Sequence, residues 1–266
     1  GMKIVCLKGG LGNQMFEYCR FRDLMESGHD EVYLFYDHRR LKQHNGLRLS
    51  DCFELELPSC PWGIKLVVWG LKICRAVGVL KRLYDDEKPE AVLIDDYSQH
   101  RRFIPNARRY FFFRQFLAEL QSGFVQMIRA VDYPVSVHVR RGDYLHPSNS
   151  SFGLCGVDYF QQAIAYVRKK RPDARFFFFS DDMEWVRENL WMEDAVYVEH
   201  TELLPDYVDL YLMTLCRGHI ISNSTFSFWG AYLAVDGNGM KIYPRRWFRD
   251  PTWTSPPIFS EEWVGL

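Results

Sequence analysis

Most of the chemistry legible in this chain lies in Val135-Ser136-Val137-His138-Val139-Arg140-Arg141-Gly142-Asp143-Tyr144. The segment reads as a buried strand ending in two arginines, a glycine and an aspartate. Strand alternation sets His138 and Arg140 on one face, Val139 and Arg141 on the other. So apolar a strand belongs inside a sheet, where a guanidinium is costly unless an anion meets it. Guanidinium also matches phosphate through two parallel hydrogen bonds, which makes Arg140 the candidate phosphate ligand. An Arg141–Asp143 ion pair that merely staples the strand end is the structural alternative.

The elements around this strand repeat its pattern. From Pro134 a strand runs to Arg140, then a helix over Asp158–Arg171 and a strand over Arg175–Ser180. A helix over Asp182–Leu190, a strand over Ala195–Val198 and a helix over Pro205–Arg217 follow. A strand over His219–Ser222, a helix over Thr225–Val235 and a strand over Met240–Tyr243 complete the run. Such alternation implies a parallel sheet covered on both faces, with ligands beyond the carboxyl ends of its strands. Arg140, Asp181-Asp182 and Ser222-Asn223-Ser224-Thr225 all fall at strand ends and so converge. Ser224 or Thr225 suits the cap of the next helix, whose free N–H groups form an anion site; an ordinary cap explains the hydroxyls equally well. Asp181 and Asp182 resemble a metal-binding pair, but neighbours at a strand end point apart, and either could cap the helix that follows.

Near the N-terminus, strand Lys3–Leu7, loop Gly9–Gly12, helix Asn13–Ser27 and strand Glu31–Tyr36 form a Rossmann-like unit. Gly10-x-Gly12 with Asp37 mimics a dinucleotide fingerprint, although Met15 stands in the third glycine's place and Asp37 comes late. An NAD(P)-dependent Rossmann oxidoreductase is therefore the alternative reading. Trp62–Leu83 reads as a helix with Trp62, Leu66, Trp69, Ile73, Val77 and Leu80 in one stripe and Lys65, Lys72, Arg75 and Arg82 on the other side. The stripe is expected to pack as core of its own domain; a membrane-surface helix has the same pattern. The domain boundary is expected near Asp132-Tyr133-Pro134, giving domains 1–132 and 133–266. The aromatic C-terminus, Trp247, Trp253 and Trp263 beside Arg245 and Arg246, is expected to close the packing.

Composition narrows the class further. At 266 residues, 47% hydrophobic and 25% charged, the chain is globular rather than disordered. A formal net charge of −1 argues against bulk nucleic-acid binding. Seven scattered cysteines with no Cys-x-x-Cys pair suit free thiols in a reducing cytoplasm. Met2-Lys3-Ile4-Val5 runs straight into a strand, so no leader is expected, and no apolar run spans a bilayer.

His138-Val139-Arg140-Arg141-Gly142-Asp143 resembles the His-x-Arg-Arg-x-Asp motif shared by the α1,2-, α1,6- and protein O-fucosyltransferases. Lys8-Gly9-Gly10-Leu11-Gly12-Asn13-Gln14-Met15-Phe16 is similar to the opening motif of the α1,2-fucosyltransferases, glycosyltransferase family 11. Phe179-Ser180-Asp181-Asp182 and the stretch Ile221–Ala231 resemble that family's later motifs, so four motifs in order span residues 8 to 231. The resemblance implies a GT-B-like α/β fold, two Rossmann-like halves with mainly parallel sheets facing across a cleft. The N-terminal half would take the acceptor and the C-terminal half GDP-fucose.

The implied reaction is metal-independent, inverting transfer of L-fucose from GDP-β-L-fucose to a galactose-containing glycan in α1,2 linkage, with no cofactor. Arg140 and the N–H groups near Ser224 would stabilise the leaving diphosphate, with His138 placing phosphate or sugar. Arg141, Ser222, Asn223, Ser224 and Thr225, with the loop glycines Gly10 and Gly12, would line the donor site. One of Asp181 and Asp182 would accept from guanine or ribose, and Asn13 and Gln14 would hold sugar hydroxyls. Some relatives carry a glutamate just downstream of the arginines; Tyr144-Leu145-His146-Pro147 has none, which leaves Asp143 or His146 as base. A non-catalytic sugar-nucleotide-binding protein, and peripheral contact with the inner membrane face, also remain open.

Overall fold

Strands without polar alternation need apolar cover on both faces, and both sheets of this protein have it. The computed structural model describes residues 1–266 apart from Gln121, Ser150 and Leu154, and all described side chains except those of Asp143 and Ser148. The chain divides into two units, Gly1–Arg114 and Gln115–Leu266.

The first unit contains β1 (Met2–Leu7), α1 (Leu11–Glu26), β2 (Glu31–Tyr36), α2 (His38–Lys42), α3 (Leu49–Cys52), α4 (Trp62–Val77), β3 (Leu93–Ile94) and α5 (Ala107–Tyr110). Its sheet has the order β2-β1-β3, all parallel. Helix α4 stops at Val77 because Gly78 turns left-handed at φ 78°, short of the expected end at Leu83. Its core face is Ile64, Val68 and Leu71, packed on Ile4, Cys6 and Leu93. The stripe of Trp62, Leu66, Trp69, Ile73, Val77 and Leu80 is exposed, which overturns its expected role as core. The reason is that the helix is apolar on two sides, and the sheet takes the side made of branched aliphatics.

The second unit contains α6 (Gln115–Ala118), α7 (Gly123–Arg129), β4 (Tyr133–Val139), α8 (Val157–Lys170), β5 (Ala174–Ser180) and α9 (Met183–Asn189). Strand β6 (Val196–Tyr197), α10 (Tyr207–Leu215), β7 (Gly218–Ile220), α11 (Thr225–Tyr232), β8 (Lys241–Tyr243) and β9 (Val264–Gly265) complete it. The division falls after Arg114, not at residue 132. Helix α7 buries Val125 and Ile128 and packs on α10, so the segment ahead of β4 belongs with the second unit. Tyr133 and Pro134 are themselves the first residues of β4.

Every strand pair in this sheet is parallel, in the order β6-β5-β4-β7-β8-β9. Taken in chain order within the unit, this is the doubly wound arrangement 3-2-1-4-5-6, whose direction of winding reverses between β4 and β7. Strand β4 is buried over its whole length. Val135, Val137 and Val139 pack with Phe176 and Phe178 against residues of α8 and α9. On the other face Ser136 and His138 meet polar partners: Ser136 Oγ lies 2.8 Å from His219 Nδ1, and His138 Nδ1 lies 3.3 Å from Ser222 Oγ.

Burial above all pushes both imidazoles down to about 3, with Arg140 adding to the effect at His138 and Lys241 at His219. They therefore stay neutral in the fold. Below pH about 6.5 the unfolded chain takes up protons that the folded chain refuses, so stability falls with pH. By this linkage each histidine should remove on the order of 2 kcal/mol of stability between pH 7 and pH 5. Denaturant melts across that range should show the decline, and His219→Gln should remove about half of it.

Candidate active site

In a doubly wound sheet the crevice opens where the winding reverses, beyond the carboxyl ends of the strands. Here those ends are Arg140–Gly142 after β4 and Ser222–Thr225 after β7, the two segments singled out by residue type. Arg140 is only partly buried, and its Nε lies 3.7 Å from Asp181 Oδ2. Its guanidinium stands 5.8 Å from the Tyr144 ring centre. The Tyr144 hydroxyl in turn donates to the Asn223 carbonyl at 2.7 Å. Tyr144 thus couples the arginine to the β7 loop, and stacks on Phe152 with ring centres 4.8 Å apart. Sequence reading passed over Tyr144; an aromatic four residues beyond the arginine was the available signal.

Arg141 has a different task. Its Nε reaches Asp182 Oδ2 at 3.4 Å and its guanidinium lies 4.0 Å from the Trp185 ring centre. This secures the strand end; the Arg141–Asp143 staple considered from sequence falls on the Asp143 side chain, which lies outside the described residues. Asp182 caps α9, accepting the Trp185 N–H at 3.2 Å.

Asp181 clamps the β4 loop, accepting the Arg141 N–H at 2.9 Å and the Gly142 N–H at 2.7 Å. A side chain at Gly142 would sit 2.8 Å from that carboxylate, so the close approach requires glycine. Ser180 Oγ ties the same two strand ends by donating to the Val139 carbonyl at 2.7 Å. Both aspartates are held by the protein's own groups and point to separate partners. Among the described residues no three His, Cys, Asp or Glu side chains are grouped to hold a metal.

The loop after β7 is buried. Ser224 caps α11, its Oγ accepting the Ser227 N–H at 3.4 Å. Among the described residues the Thr225 and Phe226 N–H groups meet no acceptor, so the first turn presents two donors and the positive end of the helix dipole. Ser222 sits behind, its N–H on Ser227 Oγ at 3.0 Å and its own Oγ beside His138. His138 is buried, which with Arg140 pushes its imidazole down to about 3, and its Nδ1 faces Ser222 Oγ.

Asn223 serves as scaffold, which departs from its expected donor contact. Its amide donates to the Gly153 carbonyl at 2.6 Å and the Trp247 carbonyl at 2.8 Å, and its Oδ1 accepts from Cys155 at 3.5 Å. Trp247 and Trp263 are buried as expected of a closing segment, whereas Trp253 is exposed.

In the first unit the left-handed residue of the loop is Gly9 at φ +76°, while Gly10 caps α1 and Gly12 lies inside it. Gln14 is fully buried and engaged at both ends. Its amide donates to the Gly9 and Gly46 carbonyls, both at 3.0 Å, and its Oε1 accepts the Arg48 N–H at 3.1 Å. It is thus a brace for the loop and not a sugar contact, because a buried amide satisfies itself locally. Asn13 is half-buried with its Oδ1 accepting the Gln99 amide at 2.8 Å, which leaves its NH2 to donate.

Around it, Lys8, Arg40 and Arg75 surround Asp95 at 3.1, 3.1 and 2.9 Å. Burial would raise the Asp95 carboxyl, but Lys8 first, then Arg75 and Arg40, hold it below its usual range. Asp37 caps α2 and pairs with Lys72 at 3.1 Å, so it is not held ready for a ribose. His146 is exposed.

Asn223→Ala should cost on the order of 3 kcal/mol, since two buried carbonyls lose their donor. Urea melts would detect it. A change below about 1 kcal/mol would mean that water replaces the amide.

A family model described as Glycosyl transferase family 11 matches residues 106–266. The Alpha-1,2-colitosyltransferase of Escherichia coli is 28% identical over 283 residues, covering 98% of this chain and 97% of its own. The Galactoside 2-alpha-L-fucosyltransferase SEC1 of Bos taurus is 27% identical over 293 residues, covering 100% of this chain and 74% of its own. Among solved structures, NodZ alpha-1,6-fucosyltransferase co-crystallized with GDP superposes with a TM-score of 0.55 at 16% identity, over 88% of this chain and 92% of that one. That likeness is one of fold, GT-B-like with parallel sheets. The family match covers more than half of the chain and includes the whole second unit, so the protein belongs to glycosyl transferase family 11.

Proposed function

We propose that the chain transfers L-fucose from GDP-β-L-fucose to a galactose-containing glycan, in α1,2 linkage, with inversion and without a metal. The observation that carries the reading is that Arg140 and the open first turn of α11 follow the ends of the paired strands β4 and β7, where the second sheet reverses its winding. A diphosphate needs that arrangement: a guanidinium on one side and helix N–H groups on the other. The fucosyltransferase and colitosyltransferase relatives support a GDP-sugar donor, and the GDP in NodZ supports the nucleotide.

In the reaction the acceptor oxygen bonds to the fucose anomeric carbon as the bond to the β-phosphate oxygen breaks. GDP leaves with the electron pair. Charge therefore grows on the β-phosphate, where Arg140 and the Thr225 and Phe226 N–H groups stabilise the transition state more than the ground state. Asp182 and Trp185 fix Arg141, Asp181 fixes the loop, and His138 holds Ser222; these four act by positioning. The second lone pairs of Asp181 and Asp182 remain available to guanine or ribose. Asn13 donates to a sugar hydroxyl, and Asp143 or His146 receives the acceptor proton.

A colitosyl donor is the second reading, favoured by a relative that matches this chain over nearly the whole length of both. Incubation with GDP-fucose and a panel of galactosides, followed by linkage analysis, tests the proposal. Absence of both glycoside product and GDP release, across donors and acceptors, would leave a nucleotide-binding protein instead.

Arg140→Lys should lower the rate about a hundredfold, since one point charge cannot reproduce two parallel hydrogen bonds. Near-wild-type turnover with an unchanged melting midpoint would remove Arg140 from the phosphate site. Turnover should also persist in excess EDTA, because the positive charge a metal would bring is already supplied. Complete loss in EDTA, reversed by manganese, would reassign the aspartates as ligands.

A further inference from the structure

The exposed stripe of α4 has no use in donor chemistry, yet it is a continuous apolar surface on the first unit. Trp62, Leu66, Trp69, Ile73 and Val77 recur every three or four residues and are 49–68% exposed. They form one line along the helix. Val79 and Leu80 extend it beyond Gly78, at 50% and 46%. Gly63 and Gly70 leave open space on the same side. The helix is anchored from behind by Ile64, Val68 and Leu71, so the stripe is held outward by packing.

Charge selects the occupant. No acidic residue occurs between Glu56 and Asp85, whereas Lys65, Lys72, Arg75, Lys81 and Arg82 all do. Lys72 and Arg75 are committed to Asp37 and Asp95. Lys65 beside Trp62, with exposed Lys81 and Arg82, borders the apolar line. A second copy docking through this face about a two-fold axis would set the same cations against one another. An anionic lipid surface meets both halves of the pattern, with acyl chains for the stripe and phosphates for the rim.

Helix α4 has 16 residues, or about 24 Å, against a hydrocarbon core of roughly 30 Å. It is too short to span, and among the described residues no helix is long and apolar enough to cross a membrane. We infer that α4 lies flat on an anionic phospholipid bilayer, with Trp62 and Trp69 at the headgroup level. No residue of this surface is among those assigned to the donor site, so its test reads independently of the fucosyl-transfer proposal.

The experiment is co-sedimentation of the full chain at low salt. It uses phosphatidylcholine vesicles with and without phosphatidylglycerol. Binding should require phosphatidylglycerol and weaken as salt rises. Lys81→Glu with Arg82→Glu should weaken it by on the order of 25-fold, about fivefold per lost cation. Trp62→Ser with Trp69→Ser should abolish it, with the melting midpoint unchanged because both side chains already face water. Absence of sedimentation at low salt overturns the inference. So does equal binding to neutral vesicles, or a dimer in analytical ultracentrifugation that the tryptophan variant dissolves.

Discussion

Strand β4 has no exposed residue, and that burial decides where this protein can do chemistry. Both of its faces and both of its edges are occupied, by helices and by β5 and β7. A polar ligand can therefore meet it only where the chain leaves the sheet. At that end every main-chain turn is secured by a side chain from a neighbouring strand end. Ser180 holds Val139, Asp181 holds Arg141 and Gly142, and Asp182 holds the Arg141 side chain. Arg140 emerges from the middle of this lattice with its backbone fixed. A guanidinium so placed loses little freedom on meeting a phosphate, which is the condition for stabilising a transition state without reorganisation.

The distribution of charge around that point follows the same logic. The carboxylates are turned toward backbone N–H groups, a helix cap and the two arginines. They neutralise the protein's own donors, and among the described residues they are not grouped for a metal. The histidines one strand face away are stripped of charge by burial, so they tie β4 to the β7 region without adding repulsion next to Arg140. Among the described residues, Arg140 and the first turn of α11 are cationic groups at these strand ends. An anion is the ligand that such positive groups favour.

Much of this could be read from sequence because it depends on short-range pattern. Alternating strands and helices pointed to the parallel sheet, and residue type at strand ends placed Arg140 at the end of β4 and Asp182 and Ser224 as helix caps. Side chains whose partners lie far along the chain were misread. Gln14 looks like a ligand beside a glycine loop, but its partners are Gly46 and Arg48. Asn223 looks like a donor contact, yet it joins segments 153 and 247. Amides are ambiguous because they donate and accept at once, so only the partner distinguishes a brace from a ligand. The domain boundary was misplaced for a related reason: Asp132-Tyr133-Pro134 carries turn-like residues, but long-range packing of α7 on α10 overrides them.

Helix α4 exposes the sharpest limit of periodicity. A stripe at helical spacing identifies an apolar face without naming the medium that receives it. In α4 two such faces coexist, one of Ile64, Val68 and Leu71, the other of Trp62, Leu66, Trp69, Ile73 and Val77. The sheet of β1, β2 and β3 is narrow and pairs its middle strand with aliphatic side chains of modest size. Indoles would hold the helix too far from Ile4 and Leu93 for close packing. The slimmer face therefore goes inward, and the broad aromatic one is left outside. Its exposure follows from the shape of the core, and the cations along its rim give that exposed face a chemical preference.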